Sequence, residues 1–154
     1  MKSPRRIHLA AGAAAVVGVG AAGAWKLRGG VVRRLDPKPG ERLLGAGRYA
    51  GSLAAEVAEK LWPGGELALV DVPDSAADEA HARGLESVQL VGDAARLPFD
   101  DDSFDGAYVS GATDFVELQR VLKPDARVVV GDRRVRKDAE AAGLVRTGRG
   151  RYRA

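Results

Sequence analysis

The sequence contains no cysteine, few aromatic residues and only two histidines. The lack of cysteine excludes a disulfide framework, a thiolate metal site and a cysteine nucleophile. His8 and His81 have no partner at the spacing of metal ligands, so we expect no metal site. No Ser/His/Asp arrangement typical of a hydrolase is visible. Because few aromatic residues lie among the bases, we do not expect nucleic acid to bind by base stacking.

Acidic residues are absent from the first 35 residues, which contain seven bases. The middle of the chain, residues 36–130, is acidic, and from Gly131 onward eight bases face three acids. The net charge of +3 therefore hides an acidic middle between two basic ends. We interpret the C-terminal bases as a solvated edge, or as a surface for phosphates of anionic lipid or nucleic acid. They are Arg133, Arg134, Arg136, Lys137, Arg146, Arg149, Arg151 and Arg153.

A run without formal charge extends from Ile7 to Trp25, with basic residues on both sides. Its length is close to the ~20 apolar residues that cross a bilayer. Small residues recur at every fourth position and offer a smooth face to a partner helix in a membrane protein. They are Ala10, Ala14, Gly18 and Ala22. Residues 1–25 are therefore predicted to be a basic segment followed by a hydrophobic helix that resembles a membrane anchor.

Two alternatives to the anchor remain open. The small residues before Trp25 also fit the cleavage site of a secretory signal, and Arg5-Arg6 resembles a twin-arginine signal. An alanine-rich helix buried against the domain or a partner is the other alternative. Residues 26–40 are interpreted as a linker, since Gly29-Gly30, Pro37 and Pro39-Gly40 do not suit a continuous helix. The domain would then comprise residues 41–154.

From residue 41 onward, apolar strand candidates alternate with helix candidates, which predicts crossover helices around a parallel sheet. The fold class is thus predicted as α/β, with a Rossmann-like, mainly parallel sheet and flanking helices. Predicted strands cover residues 42–46, 67–71, 87–91, 106–110 and 127–131, with edge strands within 144–152. Predicted helices cover residues 51–61, 75–83 and 137–142. The length allows one domain.

Candidate binding residues lie at the carboxyl ends of the predicted strands, where such sheets bind ligands. Gly45, Gly47 and Gly51 lie in the loop between the first strand and the first helix, Asp71 ends the second strand, and Asp93 follows the third. Glycines in this position fit a close approach of backbone to a ligand, a nicotinamide-binding loop or plain turns. The two carboxylates reach the same rim, although each also suits a helix cap.

A series of short motifs follows the third predicted strand. Gly92-Asp93-Ala94 precedes Leu97-Pro98-Phe99, Phe104-Asp105 starts the next strand, and residues 120–124 read RVLKP. Their order resembles that of class I S-adenosylmethionine-dependent methyltransferases of the small-molecule type, similar to methyltransferase type 11, which carry GDA..LPF...FD and RVLKPGG. The resemblance covers about residues 40–132.

The resemblance implies S-adenosylmethionine as cofactor and gives Asp71 the ribose diol and Asp93 the adenine amino group. No catalytic residue is implied, because the sulfonium already activates the methyl group and proximity supplies most of the catalysis. The cofactor-binding residues implied are Gly45, Gly47, Gly51, Asp71, Val72, Asp93, Ala94 and Ser110.

The glycine loop departs from the family pattern at two positions. Gly45 stands where the family has an acid, and Tyr49 stands at its middle glycine. We expect both changes to weaken cofactor binding, so that Tyr49→Gly combined with Gly45→Asp would strengthen it. The segment after the fourth strand and the tail after Gly131 are also short for the family.

Two functional hypotheses follow. The first is a membrane-associated methyltransferase with an unknown acceptor, whose globular domain lies in the cytoplasm because the cofactor is cytosolic. The second is a catalytically inactive, methyltransferase-like accessory subunit of a membrane complex. The altered glycine loop and the small-residue face of the N-terminal run favour the second.

Overall fold

An eight-stranded sheet forms the centre of the computed structural model, which describes residues 5–6, 30–47, 50–71, 88–91 and 95–154. The strands are β1 (Arg5–Arg6), β2 (Arg42–Ala46), β3 (Glu66–Val70), β4 (Val88–Val91), β5 (Phe104–Val109), β6 (Leu122–Val130), β7 (Val145–Gly148) and β8 (Arg151–Arg153). The helices are α1 (residues 30–35), α2 (Ala54–Leu61), α3 (Phe115–Val121) and α4 (Arg136–Ala141). The 3-10 turns Ala50–Leu53 and Arg133–Val135 lead into α2 and α4.

The strand order is β1-β4-β3-β2-β5-β6-β8-β7. Strands β2 to β6 are parallel, whereas β1, at one edge, and β8 and β7, at the other, run antiparallel to their neighbours. The chain proceeds from β2 outward through β3 to β4 and then returns to β5 on the other side of β2. The strand order therefore reverses between β2 and β5. The predicted α/β class with a mainly parallel sheet is confirmed.

Both faces of the central strands are buried, which explains why their sequences are almost continuously apolar. Helices α1 and α2 cover one face, where Leu43, Leu69 and Tyr108 point. Helices α3 and α4 cover the other, where Leu44 and Phe104 point. The core thus consists of two apolar layers separated by the sheet.

Helix α1 corrects the interpretation of residues 26–40 as a linker. Val31, Val32 and Leu35 are buried against the sheet, with at most 3% of each exposed. The Leu35 carbonyl accepts a hydrogen bond of 3.0 Å from Nε of Arg127, 92 residues further along the chain. Apolar contacts with β2 and β6 thus outweigh the glycines and prolines around this short segment. The packed domain begins no later than residue 30.

The predicted strands at 42–46, 67–71, 87–91 and 106–110 correspond to β2, β3, β4 and β5 within two residues. β6 begins at Leu122, five residues earlier than predicted, because Leu122 already pairs with Phe104 before the register shifts. Asp125 adopts φ +62° in this irregular stretch, at the position where the family motif has a glycine. The predicted helices at 7–25 and 75–83 lie outside the described residues. Within the described part of the chain, no helix has the length and apolar character needed to span a membrane.

Candidate active site at the carboxyl edge of the sheet

Three predicted site residues meet where the strand order reverses. The Gly47 amide donates to the Val70 carbonyl over 3.0 Å, and the Ser110 amide donates to the Ala46 carbonyl over 2.9 Å. These bonds extend the ladders past the ends of β2, β3 and β5. Gly47, Asp71 and Ser110 therefore lie side by side at the carboxyl edge.

Gly47 is required by the close approach of two loops. A Cβ on this residue would lie 2.8 Å from the Gly111 nitrogen and 2.9 Å from the Ser110 carbonyl carbon, and φ is +96°. Both obstacles are backbone atoms, so no side chain can move aside. The Gly47 carbonyl accepts the Ala50 amide at 2.9 Å, which starts the 3-10 turn that contains Gly51.

Asp71 is the first residue after β3 and adopts φ +55°. Aspartate tolerates this left-handed conformation better than most residues, since its short polar side chain bonds locally. The residue is partly buried and directly follows the Val70 carbonyl that binds Gly47. Asp71 thus lies at the rim beside the glycine loop.

The Ser110 hydroxyl is a polar atom without a protein partner at this edge. Among the described residues its Oγ is buried and makes no hydrogen bond. A buried hydroxyl left in this state costs about 1 to 3 kcal/mol. A hydrogen bond to a polar group of a bound molecule would remove that cost.

Gly45 does not face the ligand edge but packs inside the core. A Cβ on Gly45 would lie 2.5 Å from Cζ and 2.6 Å from Oη of Tyr108, and 2.9 Å from Cδ2 of Leu69. Tyr108 is fully buried, and its hydroxyl donates to the Ala50 carbonyl over 2.8 Å. Burial raises the pKa of this phenol, so the group stays protonated and remains a donor. A tyrosine on β5 thus fills the space that an acid at position 45 would need, and it also holds the glycine loop.

This geometry overturns one expectation from the motif. We expected Gly45→Asp to help cofactor binding, but the aspartate would clash with Tyr108 and place a carboxylate among buried apolar groups. Gly45 is therefore a position where core packing leaves no room for a side chain, and its predicted backbone contact with the cofactor stays a prediction. Tyr49 lies outside the described residues. Val72, Asp93 and Ala94 also lie outside them, so their predicted roles stay predictions.

Residues 44–130 match the family model described as a methyltransferase domain. This chain belongs to that family, the class I S-adenosylmethionine-dependent methyltransferases. It is 36% identical over 115 residues to nocamycin O-methyltransferase of Saccharothrix syringae, covering 64% of this chain and 41% of that protein. It is 32% identical over 117 residues to demethylmenaquinone methyltransferase of Geobacillus kaustophilus, covering 68% and 50%. The chain thus spans half or less of these curated relatives.

The fold is similar to that of a solved methyltransferase. The crystal structure of an S-adenosylmethionine-dependent methyltransferase from Aquifex aeolicus matches with a TM-score of 0.65 at 20% identity. The match covers 79% of this chain and 81% of that one. The sheet order and its reversal point are therefore those of the methyltransferase fold.

The cofactor of this methyltransferase family is S-adenosylmethionine, and the described residues fit it at three points. Gly47 brings backbone to the carboxyl edge, Asp71 supplies a carboxylate, and the Ser110 hydroxyl lacks a protein partner. Among the described residues no group of three or more potential ligands is arranged to hold a metal ion.

Arg120, the first residue of the RVLKP motif, organises the loop that precedes β5. All five of its N–H donors are used. Nε and Nη2 bind the two carboxylate oxygens of Glu117 at 2.7 and 3.0 Å, and Nη1 binds Asp101 at 2.7 Å. Nη1 and Nη2 also bind the carbonyls of Phe99 and Leu97 at 3.0 and 3.1 Å. The loop that follows the predicted adenine-binding segment is thus clamped to α3.

Glu117 and Asp114 complete this clamp from α3. The Glu117 carboxylate accepts the Leu97 amide at 2.9 Å, and the Arg120 guanidinium, followed by this amide, lowers the pKa of Glu117. Asp114 caps the helix by accepting the amides of Val116 and Glu117, both at 3.0 Å. The sequence signal for this cluster was present as an acid and a base three residues apart on one helix.

Proposed function

We propose that this protein is an active methyltransferase that transfers a methyl group from S-adenosylmethionine to a small organic acceptor. When bound, the cofactor supplies a methyl group already activated by its sulfonium. The Gly47 backbone, the Asp71 carboxylate and the Ser110 hydroxyl would hold and orient it at the reversal point of the sheet. Relatives named for nocamycin and demethylmenaquinone support a small-molecule acceptor.

One observation carries this proposal, namely the buried Ser110 hydroxyl that no described residue satisfies, beside Gly47 and Asp71. A protein that kept the fold only as a scaffold would gain nothing from an unsatisfied polar group there. Positioning alone can supply about 7 to 11 kcal/mol of a barrier in a group transfer. Residues that orient the reactants are therefore sufficient, and no general acid or base is assigned.

The first prediction concerns binding of S-adenosylhomocysteine, the demethylated product, to the full chain. We expect saturable micromolar binding by calorimetry, about −8 kcal/mol. Asp71→Asn should weaken it roughly tenfold to a hundredfold, because hydrogen bonds to a charged group are worth about 1.5 to 3 kcal/mol. Asparagine keeps the side-chain shape and tolerates the left-handed backbone.

Asp102→Asn is the matched control, since Asp102 also adopts φ +55° but is exposed on a turn before β5. Its affinity for S-adenosylhomocysteine should equal that of the parent. Absence of binding at millimolar S-adenosylhomocysteine, with the domain folded, would refute the active-enzyme proposal.

A catalytically inactive accessory subunit is the second candidate, and the Gly45–Tyr108 pair favours it. Gly45 stands where the family has an acid, and the buried Tyr108 phenol that fills the adjacent space cannot offer a carboxylate to the cofactor. A fold retained for interaction alone would tolerate this loss. The same calorimetric titration separates the two candidates, because only the enzyme needs to bind S-adenosylhomocysteine.

Membrane association is a further part of the proposal, with the globular domain in the cytoplasm. It is supported by the run from Ile7 to Trp25 without formal charge and by the bases that flank it. The backbone of Arg5–Arg6 pairs with Gln89 and Leu90 at the edge of the sheet. An anchor starting at Ile7 would therefore place this edge of the sheet at the membrane surface. The small-residue face would bind a helix of a membrane protein.

The second prediction is that the full chain stays in the membrane pellet after carbonate extraction and leaves it in detergent. Val17→Arg should release it to the supernatant, because an arginine at the centre of a membrane helix costs about 2.5 to 3.5 kcal/mol. Thr147→Arg adds the same charge at an exposed position of β7 and should leave the protein in the pellet. Carbonate release of the parent chain would count against a spanning anchor.

A further inference from the structure

Two arginines from opposite faces of the sheet bring their guanidinium groups together beside the turn between β7 and β8. Nη1 of Arg34, on α1, and Nη2 of Arg136, on α4, lie 2.9 and 3.0 Å from the point that a Cβ on Gly150 would occupy. The Val130 carbonyl lies 2.9 Å from the same point. The two guanidinium groups therefore both pack against Gly150, at the carboxyl end of β6.

Arg34 is held in this place by backbone acceptors. Its Nε donates to the Gly30 carbonyl at 2.8 Å, and its Nη1 donates to the Arg149 carbonyl at 3.0 Å. Burial, followed by repulsion from Arg136, Arg149 and Arg151, lowers the pKa of Arg34. Like charges packed this closely destabilise the free protein, and an anion between them would remove that cost.

Among the described residues, Asp132 is the acid within electrostatic reach of Arg136, since Arg134 first and Arg136 more weakly lower its pKa. In the part of the chain that the structure describes, Arg34, Arg136, Arg149 and Arg151 form no ion pair. The neighbouring Asp132 is bound by Arg134 instead, at 3.0 and 3.1 Å. The Nε of Arg136 is buried and, among the described residues, has no acceptor. Buried N–H groups in native proteins nearly always have a hydrogen-bond partner, and an ion or a water molecule supplies it where the protein does not.

We propose that Arg34 and Arg136 form a binding site for a phosphate group, with Arg149 and Arg151 adding positive charge at its rim. Planar guanidinium groups bind phosphate oxygens in bidentate fashion, and two of them match a phosphomonoester dianion. The site lies at the same edge of the sheet as Ser110, one strand further on, since the Gly131 amide binds the Val109 carbonyl at 2.8 Å. The proposed phosphate site uses neither the glycine loop nor Asp71.

Titration of the full chain with inorganic phosphate tests the site, with sodium chloride at matched ionic strength as reference. We expect saturable binding in the millimolar range, and a rise in thermal midpoint that chloride does not produce. Arg136→Gln and Arg34→Gln should each lower the phosphate affinity at least tenfold. The titration uses neither S-adenosylmethionine nor its product, so its outcome is independent of the proposed methyl transfer.

The chain offers a matched control beside each arginine. Lys137→Gln removes an exposed charge next to Arg136, and Arg33→Gln does so next to Arg34. Both should change the phosphate affinity less than threefold. Equal losses of phosphate affinity in all four variants would show only general attraction by positive charge and would overturn the site. Absence of saturation of the parent chain up to about 20 mM phosphate would overturn it as well. Because two independent pairs are compared, one variant that fails to fold leaves the other pair to decide.

Vesicles of phosphatidylcholine, with and without one fifth phosphatidic acid, distinguish the sources of the phosphate. If Arg136→Gln loses binding to the phosphatidic acid vesicles and Lys137→Gln keeps it, the phosphate belongs to a lipid headgroup. If both variants bind these vesicles like the parent, but Arg136→Gln still binds inorganic phosphate more weakly than Lys137→Gln does, the phosphate belongs to a soluble molecule.

Discussion

Gly45→Asp should destabilise the domain by about 3 kcal/mol or more, because it inserts a charged side chain into a filled core. The new Cβ would lie 2.5 Å from the Tyr108 ring and 2.9 Å from Leu69, both of them fully buried. The Tyr108 hydroxyl would also lose its place against the Ala50 carbonyl, which holds the start of the 3-10 turn. The free energy of unfolding in urea measures the effect.

Gly30→Asp is the control for this substitution. A Cβ on Gly30 would meet only the flexible end of the Arg34 side chain, at 3.5 Å. Its unfolding free energy should therefore change by less than about 1 kcal/mol. A loss in Gly45→Asp no larger than in Gly30→Asp would contradict the packing argument.

A double-mutant cycle with Tyr108→Ala tests whether the tyrosine replaces the family's acid. Tyr108→Ala alone should cost about 3 to 5 kcal/mol through the cavity it leaves. In that background Gly45→Asp has space, so its cost should fall and the two effects should be strongly non-additive. Additive costs would show that the two side chains do not compete for one space.

The motif alone identified Gly45 as a departure from the family, but it did not reveal what compensates for the missing acid. Tyr108 lies 63 residues further along the chain, on a strand that pairs with β2 with Gly45 and Tyr108 in register. Sequence patterns predict that both residues are in strands, and only the register places them face to face. Motif alignment therefore identified the missing acid at position 45, and the structure adds that the buried Tyr108 leaves no room for one.

The dependence on tertiary contacts also separates the elements that the sequence predicted from those that it did not. β2 and β3 were predictable because buried parallel strands are continuous apolar runs between turns. α1 was not, because Val31, Val32 and Leu35 are too few to give a helical period and lie between glycines and prolines. The location of Asp71, Gly47 and Ser110 at one edge was predictable because a parallel sheet gathers the carboxyl ends of its strands there. The proximity of Arg34 to Arg136 could not be predicted, because it arises only from the packing of α1 and α4 beside Gly150.

Arg120→Gln should lower the free energy of unfolding at pH 7 by about 2 to 3 kcal/mol, after allowance for solvent screening of its partly exposed ion pairs. The substitution removes the bidentate bond to Glu117 and leaves the carbonyls of Leu97 and Phe99 without their donor. Arg134→Gln is the matched control. It removes an ion pair to Asp132 from a side chain that is 81% exposed, compared with 34% for Arg120. Its cost should be below about 0.5 kcal/mol.

The pH dependence of stability separates the role of this clamp from simple packing. Arg120 lowers the pKa of Glu117 in the folded protein, so the ionised carboxylate stabilises the fold above its ordinary pKa of about 4.3. This contribution is lost as the pH falls through the lowered folded pKa. In Arg120→Gln the pKa of Glu117 moves back toward its ordinary value, and the decline of stability between about pH 5 and 3 should become shallower. An unchanged slope would contradict the ion-pair argument.

Because the clamped loop follows the predicted adenine-binding segment, Arg120→Gln should also weaken S-adenosylhomocysteine binding, whereas Arg134→Gln should not.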